Sequence, residues 1–314
     1  MKLHNDIKFF RQTVLAAETQ LQMNLEFIEK DYWITLVLSR LAKTKYASVT
    51  VFKGGTSLSK GFGLIDRFST DVDIAIINND QKSGNEIKTI IRTVEKKMTE
   101  ELKELNVDGV TSKGSMFRKF VFKYQSINEK NSNNTLMVEI NSFANPFPFS
   151  PMTIKSFVCD FLEQSANEKY IEEYELQPFT INVLNKEQTL LEKLVSLIRF
   201  SFDANAVESL SKKIRHFYDL YFLMNHADCI SLTQSGNLKE QFNAILAHDK
   251  EMFDEPTGWQ NRLITESPLI NNFDHTWIQL KEIYRTELSA LAYTPIPDET
   301  KIALQFKNLV KMIQ

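Results

Sequence analysis

Hydrophobic residues recur at helical spacing through residues 5–44, with a break near Met23 and Asn24. The second part of this stretch has one apolar face, made by Phe27, Ile28, Ile34, Val37, Leu38 and Leu41. After residue 84 the spacing is helical again, with an apolar stripe at Ile87, Ile90, Ile91, Val94, Met98, Leu102 and Leu105. The first third of the chain therefore predicts at least three helices.

Strand patterns lie between and after these helices. Val49–Phe52 predicts a short strand that ends at two glycines, and Asp71–Ile77 predicts a second strand. Alternation of side chains puts Asp71 and Asp73 on one face, with apolar residues facing the core. Further strands are predicted at Arg118–Tyr124, Leu136–Asn141 and Phe179–Leu184, and the proline-rich segment Asn145–Pro151 is predicted to be a rigid loop.

From Lys186 onward the pattern is helical throughout. Helices are predicted at about 186–203, 211–226, 237–248, 274–291 and 298–313. Prolines near residues 256 and 295–297 separate them, and Asp298 is suited to cap the last helix. The predicted architecture is an α/β domain with N-terminal helices over residues 1–184, followed by an all-helical domain over residues 185–314.

The bulk properties indicate an ordinary globular protein. A chain of 314 residues has room for one large or two smaller domains, each with its own core. A net charge of −3 gives no global attraction to nucleic acid, so any RNA binding must come from local basic patches. Two cysteines, Cys159 and Cys229, do not form a disulfide framework or a zinc motif. No signal-peptide core or membrane-spanning run is visible, which predicts a cytoplasmic protein.

The most informative motif is the pair Asp71 and Asp73, one residue apart in an apolar strand. Neighbouring carboxylates repel each other unless a cation lies between them, and Mg²⁺ carrying substrate phosphates is a common occupant of such pairs. Upstream, the segment Gly54-Gly55-Thr56-Ser57 offers backbone N–H groups and hydroxyls to a polyphosphate. The alternative is a solvated strand edge with two surface aspartates; the co-occurrence with Arg67 and Ser69 favours a metal–phosphate site.

Glu139 is the candidate for a third carboxylate. It is a lone acid in the predicted strand Leu136–Asn141, and a neighbouring strand can bring it beside Asp71 and Asp73. Phosphoryl chemistry generally uses such a group as a base or as a further metal ligand. The alternative is a solvent-facing glutamate on a half-exposed strand.

The helical half contributes a second pair of charged residues. Lys193 lies on the polar face of a broad apolar helix. Asp219 is surrounded by aromatic and aliphatic residues, and an acid in that setting requires a cationic partner. An intrahelical salt bridge with Arg215 is the structural alternative to a functional role.

Together these segments resemble the AbiEii/AbiGii family of bacterial nucleotidyltransferase toxins. The matching stretches are IEKDYWITLVL (28–38), FKGGTSLSKGFGLIDRFSTDVDIAI (52–76), MVEI (137–140), LLEKLVSLIRF (190–200) and IRHFYDLYFL (214–223). They occur in the expected order. The combination of K-G-G-T-S-L, R-F-S-x-D-x-D, a helical lysine and a late Y-D-L is far more specific than any one piece.

The resemblance implies a polymerase-β-like nucleotidyltransferase fold with a mixed sheet, a helical C-terminal domain, and use of an NTP with Mg²⁺ or Mn²⁺. By position it implies that Asp71 and Asp73 bind metal. Nucleotide binding falls to the segment from Lys53 to Ser57, with Arg67 and Ser69 near the triphosphate. Lys193 and Asp219 fall at the family's late Lys and Asp positions. Two departures are a long spacing of fifteen residues between Gly55 and Asp71, and His216 at a position where an Asp is frequent.

The predicted reaction is in-line nucleotidyl transfer to an acceptor hydroxyl, with Asp71, Asp73, Glu139, Lys193 and Asp219 as the catalytic set. Glu139 completes the metal site and Lys193 offsets triphosphate charge. The resemblance implies an RNA acceptor, such as the 3′ end of tRNA, a cognate antitoxin, and a role in a toxin–antitoxin or phage-defence system. Two alternatives remain: an antibiotic nucleotidyltransferase, and a non-catalytic protein that keeps the fold and acts through a partner.

Overall fold

The computed structural model describes residues 1–78, 82–128 and 134–314. The chain divides into two compact units. The first unit contains Met1–Gly63 and Phe68–Leu184, and the second contains Leu64–Arg67 and Asn185–Gln314. The short segment Leu64–Arg67 therefore belongs to the second unit, although the predicted domain limits leave it in the first.

The described part of the first unit contains one mixed sheet of eight strands. In chain order the strands are β1 (Thr50–Lys53), β2 (Asp71–Ile76), β3 (Lys103–Leu105), β4 (Ser112–Lys113), β5 (Phe117–Lys123), β6 (Thr135–Asn141), β7 (Phe149–Ile154) and β8 (Phe179–Leu184). Their order across the sheet is β3-β5-β6-β2-β1-β8-β7, and β4 pairs with β5. Strand β2 is thus internal, parallel to β6 and antiparallel to β1.

The helices of the first unit are α1 (Ile7–Leu21), α2 (Leu25–Ala42), α3 (Gly54–Lys60), α4 (Gly84–Met98), α5 (Phe157–Gln164) and α6 (Lys169–Glu173), with 3₁₀ turns at Leu3–Asn5 and Ala47–Val49. The predicted break near Met23–Asn24 is confirmed. Gln22 adopts a left-handed backbone conformation, and the Asn24 side chain accepts a hydrogen bond from the Glu26 N–H at the start of α2. Every residue from Ile28 to Leu38 is buried, so α2 is a core helix.

Three predicted elements differ from the structure. The Gly54–Ser57 turn is the first turn of helix α3. The helix with the Ile87 stripe ends at Met98, Glu101 beyond it has a positive φ of 70°, and Lys103–Leu105 forms β3. The segment Asn145–Pro151 is not wholly a loop, because Phe149–Ile154 pairs with β8. Strand β7 is at the sheet edge, where the missing N–H of Pro151 is tolerated.

The second unit is helical over its described residues. Its helices are α7 (Lys186–Phe200), α8 (Ala206–Ser211), α9 (Ile214–Met224), α10 (Ala227–Gln234), α11 (Leu238–Met252), α12 (Pro268–Asn271), α13 (Phe273–Leu291) and α14 (Glu299–Ile313), with 3₁₀ turns at Trp259–Asn261 and Ile264–Glu266. Rings of Phe217, Trp277 and Phe306 pack together in its core. Asp298 caps α14 as predicted, accepting from the Thr300 N–H. A mixed α/β fold followed by a helical region is confirmed.

None of the helices in the described ranges is long and apolar enough to cross a membrane. Cys159 and Cys229 are both buried and carry free thiols.

Candidate functional site

Strand β2 presents two carboxylates on one face. Val72 and Ile74 are completely buried, while Asp71 and Asp73 are half-buried on the opposite side of the strand. Because β2 is held between β1 and β6, both aspartates have a fixed direction. The side chain of Asp71 accepts a hydrogen bond of 2.8 Å from the Thr70 hydroxyl. The sheet therefore places the two acids side by side at an accessible face.

Gly54 lies directly against one of these carboxylates. A Cβ at this position would come within 2.1 Å of Asp73 Oδ2, and the backbone φ of Gly54 is +82°. A side chain is therefore excluded both by the space that Asp73 occupies and by the left-handed conformation. The double-glycine motif allows the carboxylate of Asp73 to approach the backbone at the start of α3.

The hydroxyls of Thr56 and Ser57 are turned inward. Thr56 is 2% exposed and donates to the main-chain carbonyl of Asp71; Ser57 is fully buried and donates to the Gly54 carbonyl at 2.8 Å. These hydroxyls secure α3 to β2 and to itself, which differs from the predicted role of direct phosphate contact. Ser69 is also buried, whereas the backbone of Gly55 is half-buried.

Charged residues form a row across four neighbouring strands. Lys53 on β1 pairs in register with Asp73, and Asp73 pairs in register with Glu139 on β6. Glu139 in turn faces Lys119 on β5, with 2.6 Å between Lys119 Nζ and Glu139 Oε1. Residues paired in register lie on the same side of a sheet. The row therefore brings the predicted third carboxylate beside Asp73, and it reveals Lys119 as the partner of Glu139.

The carboxylate oxygens of Asp71 and Asp73 are suited to bind a hard divalent ion. Mg²⁺ is usually held by one or two carboxylates, with substrate phosphates and water filling its other positions. Asp71 and Asp73 provide two such carboxylates on one half-exposed face. Within the described ranges no group of three His, Cys, Asp or Glu side chains is arranged to hold a metal, which agrees with the ion pair that engages Glu139.

Lys30 is a residue of this region that the sequence analysis missed. It lies in the core helix α2, is only 6% exposed, and is attracted by the charges of Asp71 and Glu26. Burial lowers the pKa of Lys30 to about 8, and the two acids oppose that shift. The sequence does indicate that Lys30 is unusual, because this lysine lies on the apolar helical stripe of Ile34, Val37 and Leu41.

The second unit holds a buried cluster of three charges, Arg67, Lys193 and Asp219. Arg67 Nε and Nη2 donate to Asp219 Oδ1 and Oδ2 at 2.7 and 2.6 Å, and Lys193 Nζ lies 2.8 Å from Oδ2. Side-chain exposures are 2% for Arg67, 0% for Asp219 and 8% for Lys193. The predicted cation requirement of Asp219 is met by these two residues rather than by Arg215. Arg67 is a buried partner of Asp219, which differs from its predicted place in the nucleotide-binding set.

The charges of the cluster favour the ionised form of the Asp219 carboxyl group. Burial tends to raise the pKa of Asp219, but the charges of Arg67 and Lys193 outweigh burial and lower it below its usual range. Backbone contacts fix the segment that carries Arg67. Arg67 forms an isolated antiparallel β-bridge with Ala292, and the Tyr293 N–H donates to the Asp66 carbonyl at 3.0 Å. The cluster thus joins segments that are distant in sequence within one unit.

His216 lies one turn before Asp219 on α9. Its Nδ1 is buried and has no hydrogen-bond partner among the described residues. Burial, together with the nearby charges of Lys193 and Lys213, lowers the pKa of His216 well below its usual value, against the opposing effect of Asp219. The ring is therefore neutral at neutral pH, and its protonation opposes folding.

A family model described as nucleotidyl transferase AbiEii toxin, type IV TA system, matches residues 36–303. The solved structures that are similar to the chain include the following two. JHP933 from Helicobacter pylori is 15% identical, with a TM-score of 0.45 over 93% of this chain and 93% of that chain. MenT4, nucleotidyltransferase toxin Rv2826c from Mycobacterium tuberculosis H37Rv, is 15% identical, with a TM-score of 0.45 over 96% of this chain and 99% of that chain. No curated protein matches the chain in sequence.

Asp219→Asn tests whether the buried cluster stabilises the fold. The substitution leaves two cations buried without a counter-charge, so we expect the free energy of unfolding to fall by about 3–5 kcal/mol. Asp228→Asn is the matched control, because Asp228 pairs with Lys186 at 2.7 Å but is 49% exposed; its effect should stay within about 1 kcal/mol. Urea unfolding followed by circular dichroism measures both. Equal losses in the two variants would contradict the proposed importance of the cluster.

His216→Gln tests the neutral histidine. Because the folded state holds the pKa of His216 below its unfolded value of about 6.5, its contribution to stability is complete above that pH and is lost as the pH falls toward the folded value. The loss reaches at most about 1.4 kcal/mol per pH unit. Urea unfolding between about pH 5 and pH 7 should show a flatter pH dependence for His216→Gln than for wild type. The exposed His275→Gln should leave the slope unchanged, and an unchanged slope in His216→Gln would refute the assignment.

Proposed function

Since this chain belongs to the AbiEii family of nucleotidyl transferase toxins, we propose that it moves a nucleoside monophosphate from an NTP to a hydroxyl of an RNA acceptor with the help of Mg²⁺. The acceptor that the family resemblance favours is the 3′ end of a tRNA. The observation that carries the proposal is the pair Asp71 and Asp73 on one accessible face of an internal strand, with Gly54 directly beside Asp73.

Asp71 and Asp73 are the residues that would hold Mg²⁺, or Mn²⁺ in its place. When bound, the ion supplies positive charge to the phosphates of the nucleotide and relieves the repulsion between the two carboxylates. Gly54 lets the carboxylate of Asp73 approach the start of α3 because it has no side chain. Lys53, which pairs in register with Asp73, adds a cation to the same row of residues.

The reaction needs a proton acceptor for the attacking hydroxyl. The acceptor oxygen forms a bond to the α-phosphorus while the bond between that phosphorus and the bridging oxygen breaks, and pyrophosphate leaves. Glu139 takes the hydroxyl proton in this scheme. Its support is that Glu139 pairs in register with Asp73, one of the two proposed metal ligands. The 2.6 Å ion pair with Lys119 fixes the position of the Glu139 carboxylate.

We propose for Lys193 and Asp219 the roles that the family resemblance implies. Lys193 offsets charge on the triphosphate, and Asp219 orients Lys193. The support from the second unit is the 2.8 Å contact between Lys193 Nζ and Asp219 Oδ2, which fixes the ammonium group. Arg67, bound to both oxygens of Asp219, acts in the proposal as a positioning residue rather than as a ligand of the nucleotide.

An RNA acceptor rests on the family resemblance rather than on basic residues at the surface. Lys119 and Lys212 are paired with Glu139 and Glu208 at 2.6 and 2.8 Å, and Lys307 is paired with Asp274. These contacts are typical of a solvated charged surface. The family description as a type IV toxin–antitoxin system supports a cognate antitoxin for this chain. A role in phage defence is proposed only because the family resemblance implies it.

Asp71→Asn and Asp73→Asn test the proposed site. Both side chains are half-exposed and outside the core, so the fold should survive while transfer of α-labelled phosphate falls by about 100-fold or more. Label incorporation with each of the four NTPs and total RNA measures activity, and circular dichroism measures folding. The exposed Asp108→Asn is the matched control and should retain wild-type activity. Full activity in either aspartate variant would refute the site.

The fate of the label in wild type separates the proposed function from its rivals. Label on tRNA that is removed by digestion of the 3′ end supports the proposal. Label on an added aminoglycoside, with none on RNA, would instead make the protein an antibiotic nucleotidyltransferase. Absence of Mg²⁺–NTP binding at millimolar concentration would favour a non-catalytic protein that acts through a partner.

Glu139→Gln tests the third carboxylate. If Glu139 accepts the proton, transfer should fall by about 100-fold or more, while the loss of an ion pair on a half-exposed strand changes stability by about 1 kcal/mol or less. Glu104→Gln is the matched control, because Glu104 pairs with Lys113 at 2.7 Å on the surface of the same sheet. If Lys119→Met lowers transfer as much as Glu139→Gln does, the ion pair rather than the carboxylate would be responsible.

A further inference from the structure

Helix α2 carries three consecutive charged residues, Glu29, Lys30 and Asp31, within its buried segment. Their exposures are 0%, 6% and 2%. Charged side chains are almost never buried to this extent unless they are paired, so each of the three requires an explanation. All three belong to the first unit, as do Asp71 and Asp73.

Two of the three have protein partners. Glu29 accepts hydrogen bonds from the Ser126 hydroxyl at 2.8 Å and from the Ile127 N–H at 2.6 Å. Asp31 forms a contact ion pair with Lys60 and accepts a hydrogen bond of 2.8 Å from the Phe157 N–H. These contacts join α2 to the end of α3, to the start of α5 and to the segment after β5. Glu29 and Asp31 are therefore structural.

Lys30 is different. Among the described residues no hydrogen bond or ion pair reaches its ammonium group, and the charges that face it are Asp71 and, more weakly, Glu26. The neighbouring Lys60 shows that a buried lysine in this unit can form a contact pair with an acid. Lys30 and Asp71 attract each other without such a contact. A buried cation held near a carboxylate but not bound to it is suited to a ligand that carries its own negative charge.

We infer that Lys30 binds a phosphate group of the substrate's triphosphate next to Asp71. The inference rests on the proposed function and adds a residue to it, one that precedes the range matched by the family model. A compact ammonium group forms strong charge-assisted hydrogen bonds to phosphate oxygens, and bound phosphate would supply the counter-charge that the protein does not. Lys30 is only 6% exposed. A phosphate group of a nucleotide that enters the site can therefore reach its ammonium group more readily than the backbone phosphates of an RNA at the surface can.

This assignment makes an unusual prediction for Lys30→Met. A structural lysine should destabilise the protein when it is replaced, but an unpaired buried ammonium group opposes folding, so methionine should leave the unfolding midpoint unchanged or raise it. At the same time binding of inorganic triphosphate should weaken about 10- to 100-fold, since hydrogen bonds to charged groups are lost. Lys30→Arg keeps the charge and should restore part of the affinity.

The experiment is isothermal titration of the full chain with inorganic triphosphate in the presence of Mg²⁺, together with thermal unfolding of each variant. Lys43→Met is the matched control, because Lys43 follows the same helix and its side chain is 67% exposed; it should bind like wild type. A parallel titration with a short RNA tests the other source of phosphate. Weakened triphosphate binding by a stable Lys30→Met variant supports the inference.

Three results would overturn it. Lys30→Met could bind triphosphate as tightly as wild type, could unfold at a clearly lower temperature than wild type, or could lose affinity for RNA alone. Each of these leaves the proposed function intact, provided that wild type binds triphosphate. If wild type itself fails to bind triphosphate with Mg²⁺, the proposed function fails together with this inference.

Discussion

The structure depends on one electrostatic constraint, which is the presence of two carboxylates on the same face of an internal strand. Strand β2 cannot turn Asp71 and Asp73 away from each other, because its other face forms the core and both of its edges are paired. The surroundings therefore have to accommodate them. Gly54 provides space for Asp73, and the hydroxyl of Thr56 donates to the main chain of Asp71. The sequence of the β1–α3 connection follows from the position of these acids.

The protein treats its buried charges in two ways. Asp219 has two cations in contact, and Asp31 has Lys60, so these groups are satisfied within the fold. Lys30 is not neutralised in this manner, since no ion pair among the described residues reaches its ammonium group, although Asp71 and Glu26 attract it. An unpaired buried charge opposes folding, and its presence in the unit that carries the candidate site is typical of a place that a ligand completes. Lys30 therefore differs from the satisfied charges of both units and is suited to a ligand.

Much of the fold could be predicted from local patterns. Helices with one apolar face and strands with simple alternation, such as Phe179–Leu184, occur where the sequence indicates them. The failures have local causes that periodicity does not detect. The apolar stripe through Leu102 and Leu105 continues past a left-handed residue at Glu101, and proline at an edge strand does not prevent pairing. In the site, the acids and Gly54 were visible as a motif. The pairing of Asp219 with Arg67 was not, because the two residues are 152 positions apart in sequence.

The contact between Arg67 and Asp219 explains the long spacing between Gly55 and Asp71. Residues Leu64–Arg67 belong to the second unit, where Arg67 binds Asp219 and the backbone bridges to Ala292. The segment between α3 and β2 is therefore more than a connection, since it supplies a buried guanidinium group to another core. A compact spacing would remove Arg67 from Asp219 and leave that carboxylate with Lys193 as its remaining contact cation in the described structure. The motif R-F-S-x-D-x-D thus combines two requirements: Arg67 stabilises the helical unit, and four residues later Asp71 begins the strand that carries the candidate site.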